Sequence, residues 1–336
     1  MQALILRLVN FMTTIRDIAR EANVGTTTVS RVINNSEKVS PDTRKRVESA
    51  MKKLNYYPNE YARVLKSKKS NTIAVSVPSI WHPFFSEFVY HIEKELRKKN
   101  IRLMISSNNT DAQTELEFLD MIRQNKVDGI IALTYHNIDK YVSSNIPFVS
   151  IDRYFTEKVA YVTSDNYHGG EIAAEELIKR GCKNLGFISA IAPQKNDTLK
   201  RKNGFVDKAK ELGQEVYIYQ KPEPILDYNQ FFDDFFATYT DCDGLLAMND
   251  QTALILLKYL DQKGINVPDE LQVIGYDGFH YFEGYETNLT SIKQPIEEMA
   301  QAALTMLFKL IDGAVIEEPI VLPVEFKPGN TTKTIK

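Results

Sequence analysis

The sequence predicts an α/β protein in two unequal parts: a small all-α module, then a larger region of two lobes, each built on a doubly wound parallel sheet. Three observations carry this prediction. Residues 13–54 show three short helical periods, from Ile73 onward strand-length apolar runs alternate with longer helical periods, and charge is divided between the two parts. Residues 1–70 hold 14 Lys/Arg against 6 Asp/Glu, whereas the remainder holds 27 against 38, so the formal net charge of -3 conceals a basic module ahead of an acidic body. Such segregation suits a module that meets a polyanion and a body that repels it.

Composition narrows the function classes. With 43% hydrophobic and 25% charged residues the chain reads as an ordinary soluble protein. No apolar run approaches the roughly 18–20 residues a bilayer crossing needs. Cys182 and Cys242 form no CxxC and the five histidines no HExxH, so neither a disulfide framework nor a metal centre is expected. A GxGxxG after a strand and a GxxxxGK[ST] are both absent, and no cofactor is expected.

Met1 to Phe11 is mostly apolar but lacks the charged start and small-residue cleavage site of a signal peptide, and reads as an extension ahead of a start at Met12. Thr14 and Asp17 then have capping-box spacing, and Ile15, Ile18, Ala19 and Ala22 fall on one helical face. Gly25 interrupts that period. In the next, Thr26 to Asn34, Val29, Val32 and Ile33 face inward, while Thr27, Ser30, Arg31 and Asn34 line the other side. Ser40-Pro41-Asp42 opens a third helix, with a cap hydroxyl before proline at the first helical position, and Val47, Ala50, Met51 and Leu54 give its buried face.

Three such helices describe a helix-turn-helix unit whose second helix enters a major groove. Arg31 suits a bidentate bond to guanine, and Thr26, Thr27 and Ser30 reach base edges or phosphates. Arg44, Lys45, Arg46, Lys52 and Lys53 read as phosphate contacts or solvated charges. Pro58 ends the pattern, and Asn59 can cap a helix of barely two turns, Glu60 to Leu65, before the polar linker 66–71. A helix that short is expected to fold only when docked.

The run TIRDIAREANVGTTTVSRVINNSEKVSPDTRKRVESAMKKLNYYPNEYARVLKSKKSNTIAV resembles the DNA-binding region of the lac repressor family (LacI/GalR transcriptional regulators), and the resemblance continues to the end of the chain. It implies a DNA-binding surface of Thr14, Thr26, Thr27, Thr28, Ser30, Arg31, Asn34, Asn59, Ala62 and Leu65. Thr26, Thr27 and Arg31 occupy its base-reading positions, and Leu65 the wedge that paired hinge helices push into the minor groove at a central CpG step. Gly25 departs from the pattern, since serine is common there. The resemblance also implies a two-lobed, periplasmic-binding-protein-like domain. The resulting organisation is an extension over 1–11, a helix-turn-helix domain over 12–58, a hinge over 59–71, and a ligand-binding and dimerisation domain over 72–336 divided near 165 and 291.

In the large domain, strands are expected at 73–77, 101–106, 129–133, 148–151, 185–189, 215–219, 244–247 and 273–276, and helices at 84–99, 114–125, 168–180, 200–212, 229–239 and 252–263. Alternation of this kind gives parallel sheets covered on both faces. Polar groups that bind a ligand then belong at the carboxyl ends of strands, facing the crevice between lobes. Those ends read Pro78-Ser79, Asp152-Arg153, Asn249-Asp250 and Tyr276-Asp277-Gly278, with Arg201 opening a helix on the same side. Asp152, Arg201, Asn249 and Asp277 match the family's effector-contacting positions, and their planar or forked groups suit neighbouring hydroxyls of a sugar. Phe84 or Phe85, with Trp81, offers an aromatic face to a sugar ring. Asp250 reads as a cap for the helix after it, and His82 is assigned no role.

The expectation is a cytoplasmic, homodimeric repressor, not an enzyme, that binds a palindromic operator and is controlled by a small sugar. GYDG and the IDRYF segment resemble sucrose or fructoside regulators of the family. The alternative is a global carbon-catabolite regulator whose co-effector is a phosphorylated carrier protein; a purine effector is a third option, disfavoured by the carboxylates. No heptad repeat follows Val324-Glu325-Phe326-Lys327, so a dimer is expected in preference to a tetramer.

Overall fold

The computed structural model describes residues 13–33, 36–56, 69–107, 112–134, 138–142, 146–155, 159–192, 196–282, 284–315 and 318–335. They fall into two compact units, divided between Lys68 and Lys69.

The first unit contains α1 (Ile15–Glu21), α2 (Thr26–Ile33) and α3 (Pro41–Lys53). The Asp17 carboxylate accepts from the Thr14 amide at 2.9 Å and the Thr14 hydroxyl at 2.6 Å, and these bonds hold the Asp17 carboxyl below its usual range. Ser40 caps α3 by accepting from the Thr43 amide. Ile18, Ala19, Ala22, Val29, Val32, Val47 and Ala50 form the core, the inward stripes expected of the three periods. Two of the charges read as phosphate contacts or solvated charges have partners within the module. Arg44 is half-buried and donates to the carbonyls of Ser36 at 2.9 Å and Val32 at 3.5 Å, closing the end of α2, and Lys53 pairs with Glu21 at 2.6 Å.

The second unit has two sheets, parallel except at one edge. In the first, β1 (Thr72–Val77), β2 (Arg102–Ser107), β3 (Gly129–Ala132), β4 (Phe148–Ile151), β5 (Ala160–Ser164) and β13 (Ile320–Leu322) lie in the order β13-β5-β4-β3-β1-β2. Helices α4 (Pro83–Lys98) and α5 (Ala112–Arg123) connect its strands. The second sheet, ordered β14-β12-β9-β8-β6-β7, comprises β6 (Leu185–Ile191), β7 (Val216–Pro222), β8 (Gly244–Ala247), β9 (Gln272–Asp277), β12 (Ser291–Lys293) and β14 (Glu325–Lys327). Its helices are α6 (Asn166–Lys179), α7 (Leu199–Glu211), α8 (Tyr228–Thr238) and α9 (Asp250–Lys263). Both sheets are parallel throughout except that β14, at the edge of the second, runs antiparallel to β12. A short ribbon, β10 (His280–Phe282) and β11 (Tyr285–Glu286), follows β9.

Strands β1, β3, β4 and β8 are buried along their whole length, which is why they read as continuous apolar runs. The chain passes between lobes after β5, after β12 and after β13. Helix α10 (Ile296–Ile311) therefore packs on the first lobe although it follows β12 of the second: Met299, Ala303 and Leu307 join Phe88 and Ile92 in one core. In both sheets the carboxyl ends of the parallel strands face the crevice.

Candidate nucleic-acid interface and interlobe crevice

Helix α2 presents Thr26, Thr27 and Arg31 to solvent, with Thr28 and Ser30 half-exposed, while Val29 and Val32 hold its other face in the core. Arg31 makes no ion pair with any described residue, so its guanidinium is available to an incoming acceptor. Thr14 lies at the head of α1 with its hydroxyl hydrogen committed to Asp17. The remaining DNA-contact candidates, Asn34, Asn59, Ala62 and Leu65, lie outside the described residues, as does the hinge up to residue 68.

The crevice is built around one cation. Helices α6 and α7 cross closely because a Cβ on Gly170 would run into the Arg201 carbonyl and one on Gly204 into that of Tyr167. This approach brings the Arg201 Nε to the Asn166 Oδ1 at 2.7 Å. Its Nη1 donates to the Met248 carbonyl at 2.8 Å and lies 3.5 Å from Asp277 Oδ1, and the guanidinium stacks 3.7 Å over the Tyr276 ring. Asp277 also accepts from Gln294 Nε2 at 2.8 Å, and Gln294 in turn accepts from the Ser164 hydroxyl at 2.6 Å. From the first lobe, Asp152 accepts from the Thr163 hydroxyl at 2.7 Å, and Thr163 accepts from Asn166 Nδ2 at 3.1 Å. Asp152, Ser164, Asn166, Arg201, Asp277 and Gln294 thus form a continuous polar seam, all of them buried.

Burial governs the electrostatics of this seam. Desolvation pushes the Asp277 carboxyl up to about 7 despite the opposing pull of Arg201. Asp152 is raised for the same reason, again against Arg201. Desolvation and then the neighbouring charge of Asp277 raise Asp250 well above the carboxylate range. His82 is driven down to about 4 by burial and by Arg201, so it is neutral near pH 7. Carboxylates, amides and a forked guanidinium at bonding distance provide acceptors and donors that can be exchanged for ligand hydroxyls.

The structure brings Asp152, Arg201 and Asp277 together. Asn249 stands nearby, half-buried, and its Oδ1 caps α9 by accepting from the Thr252 amide at 2.8 Å. The cap is therefore Asn249, which corrects the expectation for Asp250. Asp250 sits one residue inside the helix, fully buried, and accepts from the Gly278 amide at 2.8 Å and the Ser291 hydroxyl at 2.6 Å. Phe84 and Phe85 are 4% and 8% exposed and belong to the first lobe's core, while Trp81 is 88% exposed. Asn166, Ser164 and Gln294 were absent from the sequence reading. Their signal was position: polar residues beside the points where the chain changes lobes.

Residues 14–59 match the family model for bacterial regulatory proteins, lacI family, and residues 174–332 a periplasmic binding protein-like domain. Over 94% of its length and 98% of the other's, the chain is 34% identical to the sucrose operon repressor of Streptococcus mutans serotype c. The chain belongs to the LacI family. It is likewise 34% identical to the ribose operon repressor of Bacillus subtilis, over 96% of this chain and 99% of that one. A solved periplasmic binding protein/LacI transcriptional regulator from Alkaliphilus metalliredigens, complexed with D-xylulofuranose, shares 26% identity at a TM-score of 0.70, covering 79% of this chain and 100% of that one. As a LacI-family member the protein is a DNA-binding transcriptional regulator and not an enzyme, as the basic helix-turn-helix module led us to expect. Among the described residues no helix is long and apolar enough to cross a membrane.

Proposed function

We propose that the protein is a cytoplasmic, homodimeric repressor of a carbohydrate-utilisation operon, with operator affinity set by a small sugar bound between Asp152, Arg201 and Asp277. The observation that carries this reading is the buried seam in which carboxylates from both lobes converge on one guanidinium. Hydroxyls of a sugar replace such bonds one for one, and a ligand gripped by both lobes favours one arrangement of them over the other. Sucrose leads the candidates, because the sucrose operon repressor of S. mutans is similar over nearly the whole chain. Ribose follows on equal identity to the B. subtilis relative.

Arg31, Thr26 and Thr27 read the operator from α2, with Thr28, Ser30, Asn34 and Thr14 supporting them. Asn59 and Ala62 belong to the hinge that carries the Leu65 wedge. Two copies place two such helices in successive major grooves. Self-association is supported by a recess of about 1120 Å³ beside α4, rimmed by exposed Trp81, Tyr90, Tyr281 and Phe282, an apolar concentration that suits a second copy of the chain.

The test is fluorescence anisotropy of a palindromic operator with a central CpG, titrated at fixed salt with and without sucrose or ribose. Release by one sugar is expected. Tight binding indifferent to every sugar would replace this reading with the phosphocarrier-dependent regulator.

A further inference from the structure

We infer that Glu87 and His280 are a positioning pair, an interlobe clasp that ties the effector carboxylate Asp277 to helix α4 of the opposite lobe, so that crevice occupancy and lobe arrangement change together. The inference rests on the sugar-responsive reading above and names the part that transmits its signal.

The segment after β9 is fastened at every residue. The Asp277 carboxylate lies in the seam, bonded to Gln294 and beside Arg201. The Gly278 amide donates to Asp250 at 2.8 Å, and a Cβ at Gly278 would come within 2.7 Å of the Lys293 Cα. Asp277 and Gly278 have φ of +118° and +63°, two consecutive left-handed residues that turn the chain out of the second lobe. Phe279 then inserts its side chain, 0% exposed, into the first lobe's core among Phe84, Phe85 and Phe88. Next, the His280 amide donates to Glu87 Oε2 at 2.7 Å and its Nδ1 meets Glu87 Oε1 at 2.7 Å. One carboxylate of the first lobe thus accepts two bonds from one residue of the second.

The surroundings keep that carboxylate aimed. His91 Nε2 lies 3.9 Å from Glu87, and His91 Nδ1 lies 3.7 Å from Glu297, which also faces Lys94 at 3.9 Å. Glu87 is only 12% exposed at its side chain. With Asp277, Gly278, Phe279 and His280 each held, the run has no slack to absorb a shift of Asp277. Displacement of that carboxylate by a ligand is passed to Phe279 and His280, and so to the first lobe. Beyond His280, the same strand carries Tyr281 and Phe282 to the rim of the recess.

Two measurements on the full-length protein test the clasp. The first is the sucrose and ribose affinity with and without operator. Glu87→Gln keeps the side-chain volume but removes one of two acceptors, and should bring the ratio of the two affinities toward one by about threefold or more; His280→Ala should do the same. His280→Asn places an amide donor where Nδ1 stood and should retain the wild-type ratio. An unchanged ratio in Glu87→Gln would overturn the clasp. The second is hydrogen exchange without sugar. Glu87→Gln should accelerate exchange across the seam, including the Asp152 amide that donates to the Val162 carbonyl. Acceleration confined to His280 would reduce the pair to a local contact and overturn the inference. Wild-type protein that responds to neither sugar would defeat the effector reading, while the exchange result would still decide the clasp.

Discussion

Asp152 and Asp277 stand in opposite lobes at the carboxyl ends of β4 and β9, and each is held at positive φ, +55° and +118°. A non-glycine residue in that region costs of order 1–3 kcal/mol and persists only where its surroundings impose it. Here the surroundings are the Thr163 and Gln294 bonds, which point both carboxylates toward Arg201. Asp277→Asn retains the acceptor for Gln294 and is a residue type that tolerates positive φ. It should leave operator affinity unchanged and weaken sugar binding by about tenfold or more, on the order of 1.4 kcal/mol or above. Isothermal titration with sugar, beside operator anisotropy, separates the two; unfolding of the variant would make Asp277 a structural residue instead.

The response to sugar should also depend on pH. Asp277 is raised to about 7, with Asp250 raised alongside it. Because the folded value exceeds the unfolded one, the group favours the fold at low pH, and that contribution is lost as pH rises toward 7. A sugar whose hydroxyls donate to the ionised carboxylate must displace its proton. Sugar affinity should therefore rise between pH 6 and pH 8 with proton release on binding, seen as heats that differ between buffers of different ionisation enthalpy. His82, at about 4, does not titrate in this window. Asp277→Asn should flatten the profile; an unchanged slope would move the linkage to another group.

The sequence made the helix-turn-helix unit legible almost residue by residue, because caps and a 3.6-residue period are local signals. Strands β1, β3, β4, β6, β8 and β9 were legible for a related reason: buried on both faces, they leave uninterrupted apolar runs. Strand β5 escaped because it pairs parallel to β4 across residues 152–159, too short a link to contain the helix such a crossover usually carries. The Arg44 bonds were not legible because its partners, the Val32 and Ser36 carbonyls, are backbone groups that no side-chain pattern announces. The seam was half legible. Its carboxylates stand at strand ends and Arg201 near the start of a helix, while Asn166 and Gln294 owe their place to the lobe crossings, a tertiary feature.

Arg31 and Arg44 should separate base reading from scaffold. Arg31→Ala removes an exposed side chain with no described ion pair, and should cost about 1–3 kcal/mol of discrimination between operator and mismatched DNA with no change in melting temperature. Arg44→Ala strips two backbone carbonyls at the end of α2 of a donor and should destabilise the module by about 1 kcal/mol. Its operator affinity should fall without altered base preference. Equal losses on operator and scrambled DNA for Arg31→Ala would assign that residue to phosphate.

Gly25 is the position where the recognition module departs from the family's common serine. Neither the backbone nor the packing requires glycine: its φ is not in the left-handed region, nothing lies within 4 Å of a Cβ built there, and Asn23, at φ +50°, takes the left-handed turn instead. Gly25→Ser should therefore be accommodated, with stability changed by no more than about 0.5 kcal/mol, as for other surface substitutions. The added hydroxyl stands immediately before α2, where side-chain oxygens bond the free amides of a first turn or a nearby phosphate. If it reaches DNA, affinity rises for operator and unrelated DNA alike and the salt dependence stays the same, since a hydroxyl displaces no counterion. If it only caps the helix, the melting temperature rises and operator affinity does not, and thermal unfolding read beside anisotropy at two salt concentrations distinguishes these outcomes.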